Sequence, residues 1–244
     1  MIPSVAKPSL SFAESAAGWA GGAMFLLSMV YGAAVFRRRM ARPAPPATSF
    51  VRPAVIDVGL FTAFALHHSV TARSRMRRAI SRAVGPSLER PLFVWTASAL
   101  FAAACRLWRP VPGQAWEWKG RLARAARRVQ LAGLAITAWS AASLGPLELA
   151  GIAGGATGSP RKSGSAVKRG GPYAVVRHPI YTGWMLMVFG TPRMTSTRLV
   201  FAAASATYLL TAMPFEEGTL LETVGTAYER YLDEVRWRIL PGVY

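Results

Sequence analysis

Gly170-Gly171-Pro172-Tyr173-Ala174-Val175-Val176-Arg177-His178-Pro179-Ile180-Tyr181-Thr182-Gly183 is the stretch on which the reading of this chain turns. Proline is tolerated at the first helical position, where its missing N–H has no partner to lose. Pro179 therefore predicts a helix that opens there and continues along the apolar run to Gly190. Arg177 and His178 then stand at the mouth of an apolar helix. A helix N-terminus presents unpaired N–H groups and the positive end of the dipole, and an adjacent guanidinium adds a two-pronged fork; together these suit a carboxylate or a phosphate. The next apolar run, Leu199 to Phe215, leads straight into Glu216-Glu217. A hairpin of the two runs returns that acidic pair to the membrane face that carries Arg177.

Outward from this stretch the composition agrees. Of 244 residues 52% are hydrophobic and 16% charged, and the apolar residues gather in long runs, the pattern of a polytopic membrane protein. Gly18 to Phe36 carries no charge over 19 residues, a helix of about 28 Å, enough to cross the hydrocarbon layer. Arg37-Arg38-Arg39 follows it, whereas a cleaved signal peptide puts its positive charge first, so an uncleaved spanning helix is expected. Val55 to Val70, Leu92 to Trp108 and Val129 to Leu149 are further runs, the first of them short for a span at 16 residues. The expectation is an all-α polytopic membrane helix bundle with about five to six membrane helices. It is closed by an amphipathic cytoplasmic helix after Glu216, where Leu221, Val224, Tyr228, Tyr231 and Val235 recur at helical spacing and are expected to cover the site.

A net charge of +18 in a soluble protein points to nucleic acid. Here the arginines fall in short segments between apolar runs, and no RNA-binding motif is present, so anionic membrane lipids are the expected partners and nucleic acid is not. The segment holding Arg73, Arg75, Arg77, Arg78 and Arg82 fits cytoplasmic headgroups best, and Trp108, Trp116 and Trp118 read as an interfacial aromatic belt. Cys105 is the single cysteine, which rules out an internal disulfide and a cysteine-based metal site. His67 and His68 point about 100° apart on a helix, a poor chelating geometry, so no metal is expected. The Gly/Ser/Lys/Arg-rich segment from Gly151 to Lys168 contains no G-x-G-x-x-G, which argues against a soluble dinucleotide-type fold; it is expected to be a mobile loop. Charge leaves one tension. If the Arg177 face is cytoplasmic, alternating spans put Arg37 to Arg52 and Arg109 to Arg128 outside, so either the second run is not a full span or the positive-inside tendency fails.

A ligand with a carboxylate and cationic groups answers the charges of Arg177 and the Glu pair, and S-adenosylmethionine is such a ligand. The order Arg177-His178-Pro179-x-Tyr181-x-Gly183, residues 184 to 215, then Glu216-Glu217 resembles the cofactor signature of the integral-membrane methyltransferases. That superfamily contains isoprenylcysteine carboxyl methyltransferase and the phospholipid N-methyltransferases. His68-Ser69-Val70-Thr71-Ala72-Arg73, Leu88-Glu89-Arg90, Trp108-Arg109-Pro110, Gly190-Thr191-Pro192 and Gly225-x-x-Tyr228-x-x-Tyr231 are similar to its bacterial branch of methanethiol S-methyltransferases and denitrification-associated membrane proteins. The likeness runs from about Val55 to the last residue. It implies one methyltransferase domain over residues 1–244: a variable first helix and linker (1–54), a membrane scaffold (55–150) and a cofactor-binding part (151–244).

The resemblance also implies roles. Arg177 and His178 would bind the methionyl carboxylate, with Pro179 opening the helix; Glu216 and Glu217 would take the ammonium or ribose; Gly171 and Gly183 would allow close backbone approach; Tyr173 and Tyr181 would line the sulfonium. His68 with Arg73 falls to the acceptor side. The implied acceptor is small or lipophilic, with a thiol favoured, and a phospholipid amine or an isoprenylcysteine carboxylate as alternatives. A non-catalytic accessory or sensor protein that keeps the fold is a further alternative. The implied location is the bacterial inner membrane, with the cofactor site facing the cytoplasm. The chain departs from the branch at Leu144-Gly145-Pro146-Leu147-Glu148-Leu149-Ala150-Gly151, where the thiol enzymes carry an Asn-His-Phe-Asp-Leu-Phe-Gly-like stretch, so the likeness carries methyl transfer further than it carries the identity of the acceptor.

Overall fold

A computed structural model describes residues 12–45, 49–145 and 167–244. Among them are eight α-helices and one two-stranded ribbon. In chain order these are α1 (Phe12–Ala34, running on through a π-helical turn at Val35–Arg39), α2 (Val51–Ala72), α3 (Ser74–Val84), α4 (Pro86–Leu107), β1 (Gln114–Glu117) and α5 (Gly120–Leu144). They are followed by α6 (Pro179–Phe189), β2 (Arg193–Thr195), α7 (Ser196–Val224) and α8 (Thr226–Glu234). The helical bundle expected from the sequence is the observed architecture, and the antiparallel β1–β2 ribbon is an addition to it. Residues 1–11, most of the expected Gly151–Lys168 loop, and the departing stretch beyond Gly145 lie outside the described residues.

Among the described residues three helical stretches are long and apolar enough to cross a membrane: Phe12–Arg39, Val51–Ala72 and Ser196–Val224. α4 and α5 have the length, 22 and 25 residues, but carry charged residues in their sequences. α6 has 11 residues, about 16 Å. α2 shows why the second run looked short. Its helix has 22 residues, about 33 Å, because Val51–Ala54 and Thr71-Ala72 add turns that hydropathy alone does not count. Pro214 does not interrupt α7, which continues through Glu216 and Glu217 to Val224. The amphipathic segment is thus split: its first half belongs to α7, and the chain turns only at Gly225, where φ is +63°, before α8.

The side-chain contacts set the directions of the helices. Ser87 donates to Glu14 at one end of α1 and α4, and Arg39 donates to the carbonyls of Arg106 (2.6 Å) and Trp108 (2.7 Å) at the other, so these two helices run parallel. α2 runs against them, since Asp57 near its start accepts from the Arg109 N–H at 2.8 Å. α2 and α7 run parallel, with Phe61 against Phe201 and Ser69 against Tyr208. One end of the bundle therefore carries α3, the start of α6 and the end of α7; the opposite end carries Arg37–Pro45, the ribbon and the start of α7. α2 runs from one end to the other, so Arg37–Pro45 and the ribbon that leads into α5 lie at the end opposite Arg177.

α5 and α6 pack backbone against backbone at Gly133 and Gly183. A Cβ at Gly183 would meet the Gly133 carbonyl oxygen at 2.6 Å and the Thr137 hydroxyl nearer still, and one at Gly133 would meet the Gly183 carbonyl at 2.5 Å. Paired glycines let two backbones touch, the usual device of helix contacts in lipid. The core between α1, α2, α4 and α7 holds Phe36, Met40, Phe61, Phe101, Trp108 and Phe201. Trp108 is not a belt residue: it is 1% exposed and sits edge-on to Phe201 at 5.3 Å.

Candidate active site

Each side chain of the expected cofactor site is brought to one end of the bundle. Gly171–Ala174 forms a single 3-10 turn, and His178, with φ −121° and ψ 61°, turns the chain into α6 with Pro179 at its first position. α7 delivers Glu216 and Glu217 to the same level. Consecutive residues of a helix point about 100° apart, so the two acids do different things. Glu217 is 6% exposed and points inward, where Arg177 Nε lies at 3.0 Å, His178 Nε2 at 3.1 Å and Arg238 Nη2 at 2.7 Å. A carboxylate held by two guanidiniums is an acceptor only, so the His178 tautomer that satisfies it donates from Nε2. Glu216 is half exposed and accepts from the Tyr181 hydroxyl at 2.7 Å. The Tyr181 ring stacks on His178 with centroids 5.2 Å apart, 13° from parallel.

These groups border a cavity of about 240 Å³, close to the lower end of ordinary small-molecule sites. Arg177, His178, Glu216 and four tyrosines, Tyr173, Tyr181, Tyr228 and Tyr231, line it, with Leu144, Val167, Leu220 and Val224 as apolar wall. Burial pushes the Tyr231 phenol up to about 12 and raises Tyr173 and Tyr228 as well, with Glu216 adding to the rise at Tyr173, so all three remain neutral hydroxyls at physiological pH. Tyr231 donates to the Tyr173 carbonyl at 2.8 Å, tying α8 to the turn that precedes α6.

The cavity fits a zwitterionic ligand with a sulfonium. Arg177 Nε is buried and makes no hydrogen bond; it stands 3.0 Å from Glu217 but is aligned too poorly to donate. A guanidinium beside a cavity is chemically suited to a carboxylate. Glu216 offers negative charge on the other side, and the tyrosine faces suit a cation, an attraction of roughly 0.5–2 kcal/mol.

The remaining expected residues are placed elsewhere. Glu217 and Gly183 do not line the cavity: Glu217 braces Arg177 and His178 from behind, and Gly183 is covered by α5. The close approach at Gly183 is made to α5. Gly171, with φ +62°, lies against Trp139 beside the turn. His68 sits on α2 among Phe64, Phe93 and Tyr208, with ring centroids at 5.7, 5.2 and 6.5 Å, and its Nδ1 is buried and unpartnered. Arg73, at the end of α2, lies 5.7 Å from the centroid of the Phe215 ring, next to Glu216. Both residues thus face α7 on the flank from Tyr208 to Phe215, outside the cavity. Sequence reasoning missed Arg238, Leu144 and Leu220; the fork of Arg238 on Glu217 had no signal in its spacing from the motif.

The chain is 30% identical over 199 residues to methanethiol S-methyltransferase 2 of Bradyrhizobium diazoefficiens, which spans 75% of this chain and 77% of the relative. It is 32% identical to methanethiol S-methyltransferase of Crocosphaera subtropica over 190 residues (77% and 74%). To the enzyme of that name from Mycobacterium tuberculosis it is 32% identical over 197 residues (74% and 75%). No family model and no solved structure matches the chain. Identity at this level, sustained over about three quarters of both partners, places the chain in the methanethiol S-methyltransferase family of methyltransferases.

Proposed function

We propose that the protein is a membrane-embedded, S-adenosylmethionine-dependent methyltransferase whose acceptor is a small thiol. The observation that carries the reading is the convergence of Arg177, Tyr181 and Glu216 on one cavity from helices that meet only in the folded chain. The relatives' names add the thiol. S-adenosylmethionine supplies a methyl carbon already activated by its sulfonium, so the protein has mainly to position the acceptor and exclude water. Arg177, which borders the cavity, would hold the ligand carboxylate, and His178, fixed by Glu217, fills the adjacent wall. Glu216 receives the ammonium or a ribose hydroxyl. Tyr173 and Tyr181 present ring faces to the cationic centre.

On the acceptor side, His68 takes the thiol proton. A free thiol titrates near 8.5, so only a few per cent is thiolate at neutral pH, and a base within reach raises that fraction. S-adenosylmethionine, held by Arg177, Tyr181 and Glu216, would supply its activated methyl group to the thiolate sulfur, and the proton taken by His68 would pass to water. Arg73 beside Phe215 steadies the mouth of this side. The cavity faces the cytoplasm of a bacterial inner membrane, where the cofactor is made. The test is turnover: protein in nanodiscs with labelled S-adenosylmethionine and a panel of small thiols, a phospholipid amine and an isoprenylated cysteine. Methylated thiol is expected. Labelled lipid or isoprenylcysteine in its place overturns the acceptor, and tight cofactor binding with no product from any acceptor favours an accessory protein.

A further inference from the structure

We infer that Arg238 is a positioning residue: it occupies the two-pronged face of Glu217 so that Arg177 keeps its own fork for the ligand. This rests on the reading of the cavity as a cofactor site. Residues 237–239 run across the start of α6, where the Arg177 N–H donates to the Trp237 carbonyl (2.9 Å), the His178 N–H to the Arg238 carbonyl (2.9 Å) and the Thr182 hydroxyl to the Ile239 carbonyl (2.7 Å). From this strap the Arg238 guanidinium reaches Glu217, with Nη2 to Oε2 at 2.7 Å and Nε to Oε2 at 3.1 Å and to Oε1 at 3.3 Å. Its remaining nitrogen, Nη1, donates to the Tyr244 hydroxyl at 2.9 Å, and the group lies 5.4 Å from the centroid of that ring. Glu217 in turn raises the Arg238 pKa further, so the strap always brings a cation. Arg238 does not line the cavity, and its donors are spent on Glu217 and Tyr244.

The consequence follows from the shape of a carboxylate. Its two oxygens accept one planar fork edge-on, and Arg238 has taken that place. Oε1, which Arg238 Nε reaches only at 3.3 Å, is shared with His178 (3.1 Å) and Arg177 (3.0 Å), and Arg177 reaches it only in poor alignment. Two guanidiniums thus meet one buried carboxylate, and the one that is ion-paired with it but makes no hydrogen bond to it is the one that borders the cavity. With Arg238 removed, the two-pronged place on Glu217 opens, and Arg177 closes onto it and away from the ligand.

Calorimetry with S-adenosylhomocysteine in detergent tests this on the whole chain. Arg238→Met is expected to weaken binding at least tenfold, with the melting temperature of the ligand-free protein within a few degrees of wild type. Glu217→Gln in the same chain removes the charge that recruits Arg177, so the double variant is expected to bind more tightly than Arg238→Met alone. A purely structural role for Arg238 predicts the opposite, since two losses then add. Arg238→Lys keeps the charge without the fork and should also lose about tenfold, which keeps the test open if Arg238→Met does not fold. Wild-type binding together with an Arg238→Lys affinity within threefold of it, or a double variant weaker than the single one, overturns the positioning role. Absence of binding by the wild type overturns instead the cofactor reading beneath it.

Discussion

The two ends of α7 each bury a charge, and they do it in opposite ways. At its first turn Arg198, 7% exposed, donates to the carbonyls of Phe36 (3.0 Å), Arg37 (3.2 Å) and Arg193 (2.6 Å) and to the Thr191 hydroxyl (3.0 Å), with its guanidinium 4.9 Å from the centroid of the Phe36 ring. All of those partners are neutral. Near the other end Glu217, 6% exposed, is met by Arg177, His178 and Arg238. A cation wrapped in fixed backbone dipoles is fully satisfied where it stands, and it staples the end of α1 to β2 and α7. An anion met by two guanidiniums leaves positive charge over, and that surplus borders a cavity. Burial of charge alone therefore does not mark a site; an unbalanced set of partners beside a cavity does.

The sharpest way to break this comparison is to remove both charges in turn. Arg198→Ala leaves three carbonyls and a hydroxyl without their donor and should cost about 3 kcal/mol or more of stability, read as a large fall in melting temperature. The folded fraction should bind S-adenosylhomocysteine normally, and a stable Arg198→Ala protein with lost affinity would reverse the roles given to the two ends. Arg177→Ala should do the reverse, weakening cofactor binding by about 2 kcal/mol with little change in melting. Arg177→Lys should restore only part of it, because an ammonium lacks the planar fork. Glu216→Ala should cost less, about 1 kcal/mol, since a half-exposed carboxylate is screened by water; a larger loss than at Arg177 would move the centre of binding to the α7 side.

His68→Ala extends the comparison to the acceptor side. Its turnover should drop about tenfold or more while cofactor affinity stays unchanged, and rates at saturating thiol equal to wild type would reduce His68 to a packing residue among Phe64, Phe93 and Tyr208. The smallest effect is expected at Arg73→Ala, whose contact with the Phe215 ring is worth about 0.5–1 kcal/mol at an exposed site. It should appear as a modest rise in acceptor KM, and a change in cofactor affinity instead would place Arg73 on the wrong side of α7.

Hydropathy is a property of neighbours in sequence, so the apolar runs, the helical class and the order of the elements were legible without coordinates. So were Arg177, His178 and Tyr181, because their position beside Pro179 fixes them to one helix mouth, and the Glu pair, because it closes the run that follows. Helix ends were not, since the turns beyond each apolar run at Val51–Ala54 and Gly120–Arg128 are made of residues that hydropathy passes over. What the pair does was also hidden: Glu216 and Glu217 are identical in chemistry and adjacent in sequence, and only the rotation of α7 against α6 decides which faces the cavity and which is walled in. Gly183 could serve a ligand or a helix until α5 was seen lying on it. Arg238 stands 55 residues beyond Gly183, where the motif ends, and reaches Glu217 because a strap of backbone hydrogen bonds carries it there, a contact set by the path of the folded chain and by nothing local to Arg238.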